Sequence, residues 1–416
     1  MPKLLVAAHP PFAPVIRQLV KVGWEIICIN PQFAKQLRDL NLENIKALGE
    51  FNTPEIHQEA LNQAAFFTQA TFSPIDTRGL HGKVGAWLEG DYRGLMYSKL
   101  FDLIHFVELM HFVEPDVILV HNDVEPLTRA AAEWGKAHEV SCVHVPHAVY
   151  HNIDNTGYDL HNIITASHIL TSGRYQTEWY QKRGVGEAII GETGLPQFDE
   201  WSIKQDFNSQ WGRSLFKGLR QDLPVICYAS SWRQNTNLTG MHDGVEETYM
   251  AILDCIVKLH GKVQFIIKCH PRGNNIGWHE KKAIEARDKA GIKPGTFAEV
   301  VDSGLEACLQ ASDLLFAYGP SNVLLEGSFV PWLRLACTSG YSKSAEVVKI
   351  ATDPPNVDMM IMTFGAMLSS PPANYAGFRE YYMGRCDGMN SVRIAQFIAQ
   401  LAAEKEAVIE PELVKV

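Results

Sequence analysis

With 416 residues, 46% of them hydrophobic and 20% charged, the composition excludes a disordered chain, and the length exceeds what one hydrophobic core usually serves, so two domains are expected. A net charge of −10 argues against general nucleic-acid binding, which needs clustered Lys and Arg to displace counterions. No stretch approaches the roughly 18 apolar residues of a membrane span, the amino terminus lacks a signal-peptide run, and the eight scattered cysteines form no CxxC pair, so reduced buried thiols in a cytoplasmic protein are expected.

In chain order, Lys3 to Ala8 reads as a buried strand, with the loop His9 to Pro14, a helix to about Val22 and a second strand from Trp24 to Asn30 behind it. This opening suits a Rossmann-like domain, but no GxGxxG accompanies it, so a tightly held dinucleotide is not implied. His9, at a strand's carboxyl end, is a candidate for meeting an acceptor. Residues 32 to 95 read as an insertion lying over a cleft. Tyr97 to Val113 is apolar at helical spacing; its His105 and His111 read as surface or core histidines, since no carboxylate-rich partner motif accompanies them.

Asp116 to Val120 is a strand that ends in His121-Asn122-Asp123, and Val140 to Val145 is the next, ending in Pro146-His147-Ala148. Both clusters emerge at carboxyl ends of parallel strands, which makes Asp123 and His147 candidates for acid/base work. Further strands follow at His168 to Ser172 and Ala188 to Glu192, then the turn Gly194 to Asp199. The expected first domain is residues 1–199, with 200–222 as a linker.

A second alternation fills residues 223–385. Pro224 to Ala229 is a strand followed by Ser230-Ser231-Trp232-Arg233, and Val263 to Lys268 is a strand followed by Cys269-His270-Pro271-Arg272. Ala298 to Val301 and Trp332 to Cys337 are further strands, the stretch Ser339 to Arg385 reads as irregular, and residues 386–416 form a terminal helix and tail.

Between them runs Ser312-Asp313-Leu314-Leu315-Phe316-Ala317-Tyr318-Gly319-Pro320-Ser321-Asn322, which reads as strand, tight turn and helix start. Ligands of open α/β sheets bind outside the strands' carboxyl ends, where a new helix offers unpaired N–H groups. Ser321 and Asn322 would meet a diphosphate there, and Glu326, one turn on, could take a ribose diol; an ordinary capped helix would have the same pattern. Ser231, Arg233, His270 and Arg272 follow strands of the same sheet, so one anionic ligand could touch several of them.

Several short motifs occur in an order that resembles the two-Rossmann, GT-B, sugar-nucleotide enzymes: Val143-His144-Val145-Pro146-His147-Ala148, Gly194-Leu195-Pro196-Gln197-Phe198-Asp199, Lys268-Cys269-His270-Pro271, Gly319-Pro320-Ser321-Asn322 with Glu326, and Asp387-Gly388 with Arg393. The group resembled contains CDP-glycerol glycerophosphotransferases, capsule-polysaccharide transferases and, more remotely, UDP-N-acetylglucosamine 2-epimerases. The likeness spans roughly Asp116 to Ala402, and Ala148 stands where the group usually has Gly. The resemblance implies an α/β fold of two Rossmann-like domains facing across a cleft, with the acceptor on the first and the nucleotide on the second.

It further implies that His270, Ser321 and Asn322 hold the donor diphosphate and Glu326 the ribose, while His147 reaches the reacting centre. Arg233 and Arg272 would stabilise the charge that grows on a leaving nucleoside phosphate. The reaction expected is transfer of a sugar to an acceptor hydroxyl by single, inverting displacement, with His147 or else Asp123 as base; His147 could equally orient the donor or be structural. No DxD-like motif flanks the site, so no metal or other cofactor is expected to be required. The donor expected is a UDP-sugar, with a CMP- or CDP-linked donor as the alternative. A glycan, a lipid-linked intermediate, a small molecule or a modified nucleic-acid base remains open as acceptor. Alternatives of reaction are glycerol phosphate transfer, sugar-nucleotide 2-epimerisation, and non-catalytic binding of a nucleotide-sugar or glycan.

Overall fold

Strands buried on both faces are written as unbroken apolar runs. In the computed structural model the run Leu314–Ala317 is such a strand, with all four residues wholly removed from solvent. The structure describes residues 1–7, 10–72, 92–121, 125–146, 149, 165–185, 187–230, 242–270, 275–302, 304–318, 321–338, 347–350 and 356–413. The chain divides into two units: Met1–Ala148, Tyr158–Asp199 and Asp387–Val416 form the first, and Val149–Gly157 with Glu200–Cys386 the second. Among the described residues, no helix is long and apolar enough to cross a membrane.

The first unit is built on seven parallel strands: β1 (Lys3–Ala7), β2 (Glu25–Cys28), β3 (Ile45–Ala47), β4 (Val117–Val120), β5 (Ser141–His144), β6 (His168–Thr171) and β7 (Ile189–Glu192). They are ordered β3-β2-β1-β4-β5-β6-β7. The second is built on six: β8 (Val225–Ala229), β9 (Gln264–Lys268), β10 (Glu299–Val301), β11 (Leu314–Ala317), β12 (Arg334–Cys337) and β13 (Val348–Ile350), ordered β10-β9-β8-β11-β12-β13. Both sheets are parallel throughout. Each winds outward from its first strand in one direction and then in the other. The switch points therefore lie between β1 and β4 and between β8 and β11, and a crevice for ligand opens at the carboxyl side of such a point.

Three features differ from the sequence expectation. The stretch expected as an insertion over 32–95 contributes β3 to the sheet, paired with β2 through Ile26 and Ile45, and the helix Pro31–Asp39 is the crossover that leads to it. The stretch 200–222, expected as a linker, carries the helix Ser209–Ser214, docked on the helix Leu305–Ala311. Gly212 permits this contact, since a Cβ there would stand 2.5 Å from the backbone nitrogen of Ala311, while Arg213 binds the Asp313 carboxylate at 2.6 Å. The stretch 339–385, expected as irregular, holds β13 and the helices Val357–Leu368 and Ala376–Met383. The first helix is capped by Asn356 on the Met359 N–H, and its Met360 and Phe364 enter the core beside Phe316.

The last helix, Asn390–Leu413, packs on Ala13–Lys21 of the first unit. Its start is fixed by Asp199, whose two carboxylate oxygens accept the backbone N–H groups of Asn390 at 2.9 Å and Ser391 at 2.8 Å. This is an N-cap supplied from a distant part of the chain, and it satisfies two donors that the first turn of a helix leaves open.

Candidate functional site

The polar residues at the carboxyl ends of β8, β9 and β11 make the candidate site, all within the second unit. Backbone pairing holds these exits in register: Ser230 donates its N–H to the Lys268 carbonyl at 3.0 Å, and its Oγ accepts the His270 N–H at 3.3 Å. The peptide that carries His270 is thereby tied to the exit of β8. Beyond β11, Ser321 has an extended backbone and its Oγ accepts the Val323 N–H at 3.4 Å, capping the helix Asn322–Gly327. Neighbouring strands stand about 4.8 Å apart, so the exits of β9 and β11, on either side of β8, are separated by roughly 10 Å. A diphosphate with part of a nucleoside fits that span.

The helix Asn322–Gly327 has six residues, too few for much of a macrodipole, so its contribution is local N–H groups and side chains. It presses closely on the sheet because Gly327 has no Cβ; one there would come within 2.7 Å of Leu315 and 3.1 Å of Leu335. That approach carries Glu326 into a part-buried position, where loss of water pushes its carboxyl up to about 7 in spite of the opposing charge of Lys268. Near neutral pH, Glu326 is divided between an acid that can donate and a carboxylate that only accepts. The Asn322 Oδ1 accepts the backbone N–H of Val149 at 3.3 Å, so this side chain has a partner in the protein itself.

Of the sequence-predicted residues, His270, Ser321, Asn322 and Glu326 are brought to one end of the second sheet. His9, Asp123, His147, Ser231, Arg233 and Arg272 lie outside the described residues. Two described residues at these strand ends, quoted in the sequence motifs without a role of their own, have partners that the sequence does not show. Lys268 is 7% exposed, and its ammonium donates to the carbonyls of Cys269 at 2.7 Å and Asp302 at 3.0 Å. His121, in the first unit, meets the Ala7 carbonyl through Nδ1 at 2.6 Å and so joins the exits of β1 and β4.

Two of the short motifs turn out to bind each other. Asn390 donates its side-chain amide to the Leu195 carbonyl at 3.0 Å, and Arg393 donates to the Thr193 carbonyl at 3.0 Å while holding Asp387 through both carboxylate oxygens. Gly194 to Asp199 and Asp387 to Arg393 thus form a clasp inside the first unit, and its work is structural. A cavity of about 580 Å³ lined by Leu219, His260, Phe265, Ile292 and Phe297 opens at the amino ends of β8 to β10. It is at the opposite end of the sheet from the candidate site, away from the carboxyl ends where ligands of open α/β sheets bind.

No protein-family model matches the chain, and neither does any curated protein. Solved structures do. The chain is similar to the UDP-N-acetylglucosamine 2-epimerase of Rickettsia bellii, with a TM-score of 0.58, 10% identity and coverage of 97% of this chain and 98% of that one. It is similar to the UDP-GlcNAc 2-epimerase of Methanocaldococcus jannaschii, solved in complex with UDP-GlcNAc and UDP, with a TM-score of 0.55, 16% identity and coverage of 95% and 99%. A glycosyltransferase from Rickettsia africae matches with a TM-score of 0.52, 12% identity and coverage of 100% and 99%. At such identities the likeness is one of architecture: the chain has the two-Rossmann, GT-B fold.

Proposed function

We propose that the protein is a nucleotide-sugar-dependent glycosyltransferase. The observation that carries this reading is that His270, Ser321 and Glu326 all follow strands at the carboxyl end of the second sheet, on either side of β8. In the proposed complex, His270 and Ser321 hold the donor diphosphate, assisted by Ser231, Arg233 and Arg272, and Glu326 takes the ribose diol through its two oxygens. The cations act more strongly on the transition state than on the bound donor, because charge grows on the leaving nucleoside phosphate as its bond breaks. A UDP-sugar is the proposed donor, in keeping with the UDP-GlcNAc and UDP of the Methanocaldococcus jannaschii neighbour.

The proposed chemistry is a single, inverting displacement without a required metal: His147, or else Asp123, removes the proton of an acceptor hydroxyl as it attacks the anomeric carbon, and His9 belongs to the acceptor side. The test is incubation with UDP-sugars, CMP-sugars and CDP-glycerol, with and without chelator, while nucleotide release is followed. Release from UDP-sugars that persists in chelator, together with His147→Ala binding donor normally without turnover, is the expected result. Release from CDP-glycerol alone would move the assignment to glycerol phosphate transfer.

A second reading is favoured by the two epimerase neighbours, namely inversion of the sugar at C2 while it remains on its nucleotide. Conversion of UDP-GlcNAc to its C2 epimer without any acceptor would decide for it.

A further inference from the structure

Residues 204–211 border a cavity that the proposed donor site does not use. It measures about 480 Å³ and is lined by Lys204, Asp206, Asn208, Trp211, Glu306 and Gln310, all within the second unit. Small-molecule sites occupy about 300 to 1,000 Å³. One wall is the stretch that enters the helix Ser209–Ser214, and the other is the helix Leu305–Ala311.

The polar lining is held in place by the protein itself. Gln310 is 1% exposed; its Oε1 accepts the Asn208 N–H at 2.6 Å, and its Nε2 donates to Glu306 Oε1 at 2.7 Å. The Lys204 ammonium stands 3.0 Å from the same Glu306 oxygen and 3.1 Å from Asp206 Oδ1. Phe207 stacks on Trp201 with the rings 15° from parallel, and the Lys204 ammonium lies 6.0 Å over the Phe207 ring. The stretch is thereby braced before any ligand arrives, which lowers the ordering cost of binding. Gln310 and Lys204 both engage Glu306 through Oε1, so Oε2 is left to accept from a ligand, and the ammonium has a third hydrogen to give.

Trp211 supplies a different surface. It is 44% exposed, and among the described residues no other ring stacks on it. Its place is set by Asn208, whose Oδ1 accepts the Trp211 N–H at 3.0 Å, and by Gly212, which lets this helix touch Gln310 and Ala311. A lone exposed tryptophan is ordinary; this one shares a cavity with an anchored carboxylate and an anchored ammonium. Those neighbours narrow the ligand. An acyl chain would strip water from the charged rim without answering it, and one ammonium against two carboxylates disfavours a phosphate. A pyranose answers every part: its C–H face lies on the negative π-surface of the indole, while its hydroxyls donate to the carboxylates and accept from Lys204.

We propose that this cavity is a saccharide-binding site, with Trp211 as its platform and Glu306, Asp206 and Lys204 as its hydroxyl-binding groups. Such a site needs no donor nucleotide elsewhere on the chain, so it stands or falls apart from the assignment of His270 and Ser321.

The full chain is titrated with cellobiose, lactose and N,N′-diacetylchitobiose by calorimetry, and by fluorine NMR after labelling with 5-fluorotryptophan, the Trp211 resonance being assigned by its loss in Trp211→Phe. At least one disaccharide should move that resonance saturably in the millimolar range, and uridine and inorganic phosphate should leave it in place. Trp211→Phe keeps an aromatic face and should retain most of the affinity, whereas Trp211→Ala and Glu306→Gln should each weaken binding about tenfold. Should Trp211→Ala not fold, the wild-type resonance and Glu306→Gln decide the matter. A resonance that no sugar moves, one moved by uridine or phosphate but by no sugar, or undiminished affinity in either of the two weakening variants overturns the proposal.

Discussion

Asp199 and Asn390 are joined across 191 residues of sequence: the carboxylate of the first accepts the backbone N–H of the second at 2.9 Å, and both are buried. The second oxygen takes the N–H of Ser391, so one side chain caps the terminal helix and closes the first unit with it. Replacing Asp199 by Ala leaves two buried donors unanswered. Hydrogen bonds to a charged group are worth about 2 kcal/mol each net, and capping losses alone about 1 kcal/mol. Asp199→Ala is expected to lower the unfolding free energy by about 3 kcal/mol in urea titrations, and Asp199→Asn by roughly half as much. A loss below about 0.5 kcal/mol for Asp199→Ala would mean that the clasp does not hold this unit.

Glycines near this clasp and at the inter-helix contact should separate steric exclusion from backbone strain. Gly194 has φ +80°, and a Cβ there would overlap the side-chain amide of Asn390. At Gly212 the clash would be with the backbone of Gln310 and Ala311. Gly261 has a similar φ of +77° but open space around the missing Cβ. Left-handed backbone costs an alanine about 1 kcal/mol, and forced overpacking adds about 1 to 3 kcal/mol. Gly261→Ala should therefore be the mildest of the three in thermal unfolding, and Gly194→Ala should be worse than Gly261→Ala at nearly the same φ. Equal losses at these two would mean that the Asn390 side chain swings away without cost.

How far the fold can be read from the sequence depends on burial. β8 and β11 are unbroken apolar runs and β9 is apolar between its polar ends, as strands buried on both faces are, and their positions follow directly. β3 and β13 have three residues each, with exposed Lys46 and Lys349 at their centres, so neither makes an apolar run. The helix Val357–Leu368 is apolar almost all round, VDMMIMTFGAML, and offers no polar stripe by which a helical period is recognised. The site divides in the same manner. His270, Ser321, Asn322 and Glu326 are legible because polar residues after buried strands mark the carboxyl edge of a sheet. Lys268 is not, because its partner carbonyl at Asp302 arrives from 34 residues away, and the clasp of Asp199 is hidden for the same reason.

The cysteines supply a prediction about accessibility. Cys28, Cys142, Cys227, Cys255, Cys269, Cys308 and Cys337 are buried, and Cys386 is the partly exposed one. Burial pushes the thiols of Cys28, Cys255 and Cys269 up to about 12, and a hydrogen bond with Cys308, reinforced by burial, keeps Cys227 protonated as well. The thiolate is the reactive form. Native protein at pH 8 should therefore release at most one equivalent from a disulfide reagent within minutes, and Cys386→Ser should remove it; denatured protein should release all eight. Rapid release of two or more equivalents from native Cys386→Ser would show that a buried strand opens readily.

Glu326 predicts a stability that falls as the solution becomes more alkaline. Its carboxyl titrates near 4.5 when unfolded and near 7 when folded, so between those values the folded protein binds more protons than the unfolded one. The stabilising share of the protonated group is complete below about pH 4.5 and is lost as pH rises through about 7. The shift corresponds to about 2 to 3 kcal/mol once the group's partial contact with water is allowed for. Glu326→Gln keeps the shape and removes the titration. At pH 8 it should unfold at higher urea than the wild type, and at pH 5 the difference should nearly vanish. A variant less stable than wild type at pH 8 would mean that the carboxylate has a stabilising partner beyond Lys268, and the ionisation assigned to Glu326 would have to be abandoned.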